Sequence, residues 1–188
     1  MVFYALVCFP NINTIKIEAF RKKYDPHYKL IKPHITLIFP IHDQLISKKS
    51  LSKHIRSVLN HWKSFEIELQ GFTKSWDHWL FLLLKKGNKE MIQLHDELYK
   101  GILTPHLRDD IEYIPHISLG HFTKKSIQEN QKGPNKVVFD EIKYKLAIKE
   151  AQNLNLIYYI KPEKLHLVEI NDDFTTMKTV LDFPLDLK

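Results

Sequence analysis

Apolar positions along this chain switch repeatedly between a helical and an alternating period, and the switches mark its elements. Residues 2–9 are almost continuously apolar and predict a buried strand, ended by Pro10-Asn11. Asn13 or Thr14 can cap a helix running to about Tyr24, with Ile15, Ala19 and Phe20 on its core side, and Asp25-Pro26 stops it. Residues 33–40 form a short apolar run with a proline at each end, a strand. Residues 50–62 place Leu51, Ile55, Val58 and Leu59 at helical spacing. Residues 65–73 alternate Phe65, Ile67 and Leu69 with Glu66, Glu68 and Gln70, a half-buried strand. The pattern then begins again. Residues 79–84 predict a buried strand, and Asn88 caps a helix carrying Met91, Leu94, His95 and Leu98 on one side. Residues 115–119 predict a strand and residues 137–151 a helix. Two further strands, 165–170 and 177–183, follow a turn around Pro162.

The order strand, helix, Pro-His-Ile strand, helix, strand thus occurs twice, and the two Pro-His-Ile runs lie 82 residues apart in a chain of 188. A repeat of that length sets the architecture. It predicts an α+β fold of two antiparallel sheets with flanking helices around a central groove, related by a pseudo-two-fold axis. The repeat units are roughly 1–75 and 76–188. No Ser-, Gly- or Pro-rich linker separates them, so the expectation is a single domain, 1–188, made of two lobes.

Composition narrows the chemistry. The five glycines, at 71, 87, 101, 120 and 133, build neither a GxGxxG turn nor a Walker-type loop, which excludes the commonest phosphate cradles. Cys8 is the only cysteine, so there is no internal disulfide, no CxxC redox pair and no cysteine zinc site. No two of the eleven histidines are spaced i, i+4, which excludes an HExxH helix. No apolar run is long enough for a membrane helix, and residues 1–10 lack the features of a signal peptide. The expectation is a cytoplasmic protein, monomeric, with no membrane partner and no metal. Net charge is +6, and it is uneven: residues 16–63 hold eleven Lys/Arg against Glu18, Asp25 and Asp43. An anionic partner would select that basic third, and a solvated helix face would also account for it.

Pro33-His34-Ile35-Thr36-Leu37 and Pro115-His116-Ile117-Ser118-Leu119 differ only by Thr for Ser. On a strand, residues i and i+2 share a face. His34 and Thr36 therefore point one way and Ile35 and Leu37 the other, and His116 and Ser118 repeat the arrangement. Two such stripes facing across a two-fold axis would bring two imidazoles and two hydroxyls around one point. An imidazole, with an ordinary pKa near 6.5, serves as general base or general acid at neutral pH. Hydroxyls donate to non-bridging phosphate oxygens. Packing explains the returning Ile and Leu, but not the return of both a histidine and a hydroxyl.

These paired His-x-Thr/Ser motifs resemble the two-histidine phosphoesterase superfamily, whose bacterial branch is often labelled 2′-5′ RNA ligase-like. Arg21-Lys22-Lys23-Tyr24-Asp25-Pro26 before the first motif, Leu98-Tyr99-Lys100-Gly101 before the second, and the terminal Phe183-Pro184-Leu185 are similar to small stand-alone phosphoesterases of Gram-positive bacteria. The resemblance spans nearly the whole chain. It implies a bilobal fold with both motifs facing a central groove, and metal-independent, cofactor-free chemistry on cyclic phosphodiesters or 2′-5′ linkages. His34 and His116 would be catalytic, and Thr36 and Ser118 would bind the substrate phosphate. Many members of that family carry an arginine after Leu-Gly or Leu-Ala in the second motif, where this chain has Gly120-His121.

Other residues rank lower. A regular strand would put His121 on the face opposite His116, outside the site. Lys32 shares the face of His34 and could meet a phosphate. Trp79, Phe81 and Tyr4 could stack a base, although strand aromatics of this kind belong to a core. His42, His54, His61, His78, His95, His106 and His166 suit surface or packing roles. Two functions fit: an enzyme cleaving a cyclic nucleotide or RNA phosphodiester, with 2′-5′ ligation as its reverse, or a non-catalytic RNA- or nucleotide-binding protein.

Overall fold

The structure is a computed structural model that describes residues 1–125 and 137–185. Its elements in chain order are β1 (Val2–Cys8), α1 (Ile15–Tyr24), β2 (Ile35–His42), α2 (Lys48–Leu59), β3 (Ile67–Lys74), β4 (Trp79–Lys86), α3 (Asn88–Leu98), a 3-10 helix (Gly101–His106), β5 (His116–His121), β6 (Thr123–Lys125), β7 (Val137–Phe139), α4 (Glu141–Asn153), β8 (Tyr158–Ile160), β9 (Lys164–Asn171) and β10 (Met177–Pro184). The chain is α+β. One four-stranded antiparallel sheet has the order β10-β9-β1-β2 and the other β5-β4-β3-β8, and β6 and β7 form a separate ribbon.

Each sheet draws strands from both halves of the sequence. The four-residue turn between β3 and β4 joins neighbours that can only pair antiparallel, so β3 leaves the first sheet and lies beside β4. In exchange, β9 pairs with β1 and carries β10 with it. The sheets therefore cut across the units 1–75 and 76–188. Residues 126–136 and 186–188 of the second unit lie outside the described residues. The motif strands β2 and β5 are edge strands of their sheets, and they meet each other. α1 packs on β5, and α3 packs on β2. One continuous core joins the sheets to these helices through Leu6, Ile38, Leu51, Ile55, Leu82, Leu94, Ile117 and Leu167.

Three sequence expectations need correction. The core side of α1 is Ile17, Phe20 and Arg21, whereas Ile15 and Ala19 are exposed. Arg21 is tolerated inside because its Nε donates to Asp25 Oδ2 at 2.7 Å and its Nη2 to Ile31 O at 2.8 Å. The stretch 137–151 is not one helix. Val137–Phe139 forms β7, and Asp140 then caps α4 by accepting from the Lys143 N–H. Finally, β2 runs through Pro40 to His42 rather than stopping at the proline. Pro40 lacks an N–H to give, and an edge strand with a register shift can accept that.

Candidate active site

Both motif strands carry the same irregularity. In β2, Leu6 pairs with Ile38 while its neighbour Val7 pairs with Thr36, so Leu37 is an extra residue. In β5, Leu80 pairs with Gly120 while Phe81 pairs with Ser118, so Leu119 is the extra residue. These are β-bulges at equivalent places in the repeat. Each sends two consecutive residues into the core, Leu37 with Ile38 and Leu119 with Gly120. The alternation of faces flips beyond the bulge. His121 consequently stands opposite Trp79, on the face of Ser118 and Phe81. This overturns the placement expected for His121 from a regular strand.

The two imidazoles are held alike. His34 Nδ1 lies 2.8 Å from Lys32 O, and His116 Nδ1 lies 2.5 Å from Ile114 O. A carbonyl can only accept, so Nδ1 carries the proton in both rings and Nε2 keeps its lone pair. The intervening Pro33 and Pro115 hold the preceding residue extended and aim its carbonyl at the ring. His116 also lies flat on Phe81, with ring centroids 3.4 Å apart and planes at 17°, and His34 stands edge-on to Phe9 at 6.2 Å.

Burial pushes the His34 imidazole down to about 4; Arg21 adds to this, while the Lys32 carbonyl and Asp25 oppose it. Burial likewise pushes His116 down to about 4, with the Ile114 carbonyl opposing. A charge on His34 adds to the depression of His116. At neutral pH both rings are neutral bases whose Nε2 keeps its lone pair.

Thr36, His116 and Ser118 line one groove of about 790 Å³ between the sheets, whereas His34 is not among its lining residues. The exposed edge of β2 beside it is closed by side chains. Tyr113 Oη donates to Thr36 O at 2.7 Å, His95 Nδ1 donates to Leu37 O at 2.8 Å, and the Phe39 N–H donates to Tyr99 Oη at 2.9 Å. His95 and Tyr113 stack at 3.6 Å with planes at 6°. These three residues fix the bulge and hence the direction in which Thr36 points. On the other side, Arg21, Asp25 and the His27 N–H bonded to Asp25 Oδ1 at 2.8 Å order the loop leading to Pro33.

The remaining candidates separate clearly. The Lys32 side chain is exposed, and its carbonyl is what serves His34. Tyr4 is buried in the core. Phe81 is covered by His116, and Trp79 is stacked by His121 at 4.7 Å and His27 at 5.8 Å. His42 and His106 line the groove, whereas His54 is tied to Leu98 O and His166 to Asp182. Four of the eleven basic residues of 16–63, Lys48, Lys49, Lys53 and Arg56 of α2, surround a separate hollow with Leu181. Sequence reasoning passed over Lys74, Trp76 and Tyr113, which line the groove. Only a Trp inside a polar turn could have flagged Trp76. Among the described residues no helix is long and apolar enough to cross a membrane, and no group of three or more His, Cys, Asp or Glu could hold a metal ion.

Known proteins share both chain and fold. A Bacillus licheniformis protein provisionally named a phosphoesterase is 27% identical over 118 residues, 62% of this chain and 69% of its own. A crystal structure of a phosphoesterase superposes with a TM-score of 0.56 at 14% identity, covering 98% of this chain and 97% of the other. Escherichia coli LigT, crystallised with 3′-AMP, gives 0.55 at 14% identity, covering 98% and 97%. The family model of the 2′-5′ RNA ligase superfamily matches residues 9–143, a stretch that holds both bulged His-x-Thr/Ser strands and the edge that closes them, and the chain belongs to that superfamily.

Proposed function

We propose that this groove cleaves a cyclic nucleotide or RNA phosphodiester, a 2′,3′-cyclic phosphate or a 2′-5′ linkage, by two-histidine general acid–base catalysis without a metal. The observation that carries this is the pair of bulged strands, each offering an Nδ1-tethered imidazole and a hydroxyl at equivalent places of the repeat. Water attacks phosphorus and gives its proton to Nε2 of one of His34 and His116. The P–O bond to the ribose breaks, and the other histidine, protonated at Nε2, gives its proton to the leaving oxygen. Thr36 and Ser118 donate to the non-bridging oxygens of the pentacoordinate phosphorus, where fixed donors act most strongly. The near-symmetry lets either ring take either role, and run backwards the same groups would ligate. The 3′-AMP complex of LigT supports a nucleotide as ligand. The chain is read as one two-lobed domain, 1–188, monomeric and cytoplasmic.

The test is turnover of a panel of 2′,3′-cyclic nucleotides and 2′-5′-linked dinucleotides, with the products identified. Thr36→Ala and Ser118→Ala should each cost about 10²–10³-fold in rate if each supplies one donor to the transition state. A panel bound tightly and never turned over would leave the non-catalytic binding function.

A further inference from the structure

The groove is longer than its chemistry needs. Its volume of about 790 Å³ lies in the upper part of the roughly 300–1,000 Å³ range of ligand sites, more room than one phosphate and its ribose fill. One wall of the groove is formed by β4 and the β3–β4 turn, and another includes His42, Leu45, His106 and Arg108. Phe81 marks the catalytic end, under His116 and opposite Ser118. Trp79 lies two residues further along, about 7 Å at about 3.3 Å per residue. The turn then adds Trp76, which is 71% exposed and lines the groove.

Trp76 is presented by a rigid turn. Ser75 is buried, and its Oγ donates to Asp77 Oδ1 while accepting from the Trp79 N–H at 2.8 Å. The Ser75 N–H donates to Trp79 O at 2.9 Å and His78 N–H to Ser75 O at 3.2 Å. His78 closes the turn at φ +72°, a region that costs a residue with a side chain. An indole held in water by such a turn has the form of a stacking platform. Lys74 beside it lines the groove, its Nζ donating to Ser75 O at 3.2 Å and lying 5.1 Å from the Phe139 ring, from which it would turn to reach an adjoining phosphate. The rings nearer the histidines, Trp79 and Phe81, already have histidines stacked on them.

We infer that Trp76 stacks the nucleobase of the nucleotide on the 5′ side of the reacting one, with Lys74 meeting the phosphate between them, so that the preferred substrate is an oligonucleotide end rather than a free cyclic mononucleotide. For the reaction, this inference rests on the phosphoesterase reading above; for binding, it does not.

The test compares a dinucleotide ending in a 2′,3′-cyclic phosphate with the cyclic mononucleotide of the same terminal base. Wild-type protein should prefer the dinucleotide in KM. Trp76→Ala should reduce that preference about 5- to 150-fold, the worth of one base stacked on an aromatic ring, and Trp76→Phe should restore most of it. The same comparison is made by calorimetric titration with the unreactive 3′-phosphorylated dinucleotide and mononucleotide. If wild-type protein hydrolyses neither cyclic phosphate, the phosphoesterase reading falls and the titration alone judges the subsite. Equal wild-type affinity for the two 3′-phosphates, or a dinucleotide preference that Trp76→Ala leaves intact, overturns the inference.

Discussion

Two histidines that are both uncharged at neutral pH impose a specific pH dependence. Catalysis needs one proton shared between His34 and His116, one ring acting as acid and the other as base. Both are held at about 4 by burial. The singly protonated free protein is therefore most populated near pH 4, and it falls about tenfold for each pH unit above that. A cyclic phosphodiester keeps its single negative charge over this range, so kcat/KM should fall with the same slope between about pH 5 and 8. Bound substrate changes the balance. One negative charge about 4 Å from an imidazolium is worth about 4 kcal/mol at an effective dielectric near 20, equivalent to roughly three pH units. That returns the acid histidine to its ordinary range or above, so the alkaline limb of kcat should lie at distinctly higher pH than that of kcat/KM. Steady-state kinetics on a 2′,3′-cyclic nucleotide from pH 4 to 9 measures both. A kcat/KM that stays flat from pH 5 to 8, or an alkaline limb common to both profiles, would refute the doubly neutral resting site.

Folding stability should respond to the same groups. Histidines depressed in the fold contribute fully above their unfolded pKa near 6.5 and lose that contribution as pH falls toward 4, by about 1–3 kcal/mol each, the lower figure allowing for partial exposure. The loss between pH 7 and 4 in denaturant unfolding should shrink in a His34→Ala/His116→Ala protein. Tyr113→Phe removes the donor to Thr36 O and should cost about 1–3 kcal/mol in stability and lower kcat more than it raises KM; an unchanged kcat would mean that Thr36 is positioned without it. Gly120→Ala puts a Cβ 2.6 Å from Tyr24 Cβ and 3.1 Å from the Phe122 ring, and should destabilise by about 1–3 kcal/mol in thermal unfolding.

The repeat made much of this fold legible before any coordinates. Ile35, Leu37, Ile117 and Leu119 do face the core, and the α+β class with two antiparallel sheets follows from the doubled pattern. The bulges were not legible. Leu37-Ile38 and Leu119-Gly120 look like ordinary strand residues, and only pairing with β1 and β4 shows which residue is extra. That is why His121 was misplaced: one inserted residue reverses every face after it. The strand exchange between the sheets was hidden because periodicity describes an element and not its neighbour. His95, Tyr99 and Tyr113 are separated from β2 by dozens of residues, so their bonds to its edge leave no local signal. Arg21 broke the hydrophobic count on α1 because its partner Asp25 lies beyond the helix end.

The central claim is that His34 and His116 together exchange the protons of phosphodiester cleavage without a metal. The most direct measurement is the rate of 2′,3′-cyclic nucleotide hydrolysis in a strong chelator by wild-type, His34→Ala, His116→Ala and doubly substituted proteins, with folding checked by circular dichroism. The wild-type rate should survive the chelator, and each single substitution should lower it by about 10²–10⁴-fold, the usual worth of one general acid or base. The double substitution should cost less than the product of the two single losses, because the pair acts as a unit. Activity lost in chelator and restored by a divalent ion, or a folded His34→Ala protein turning over at the wild-type rate, would contradict it.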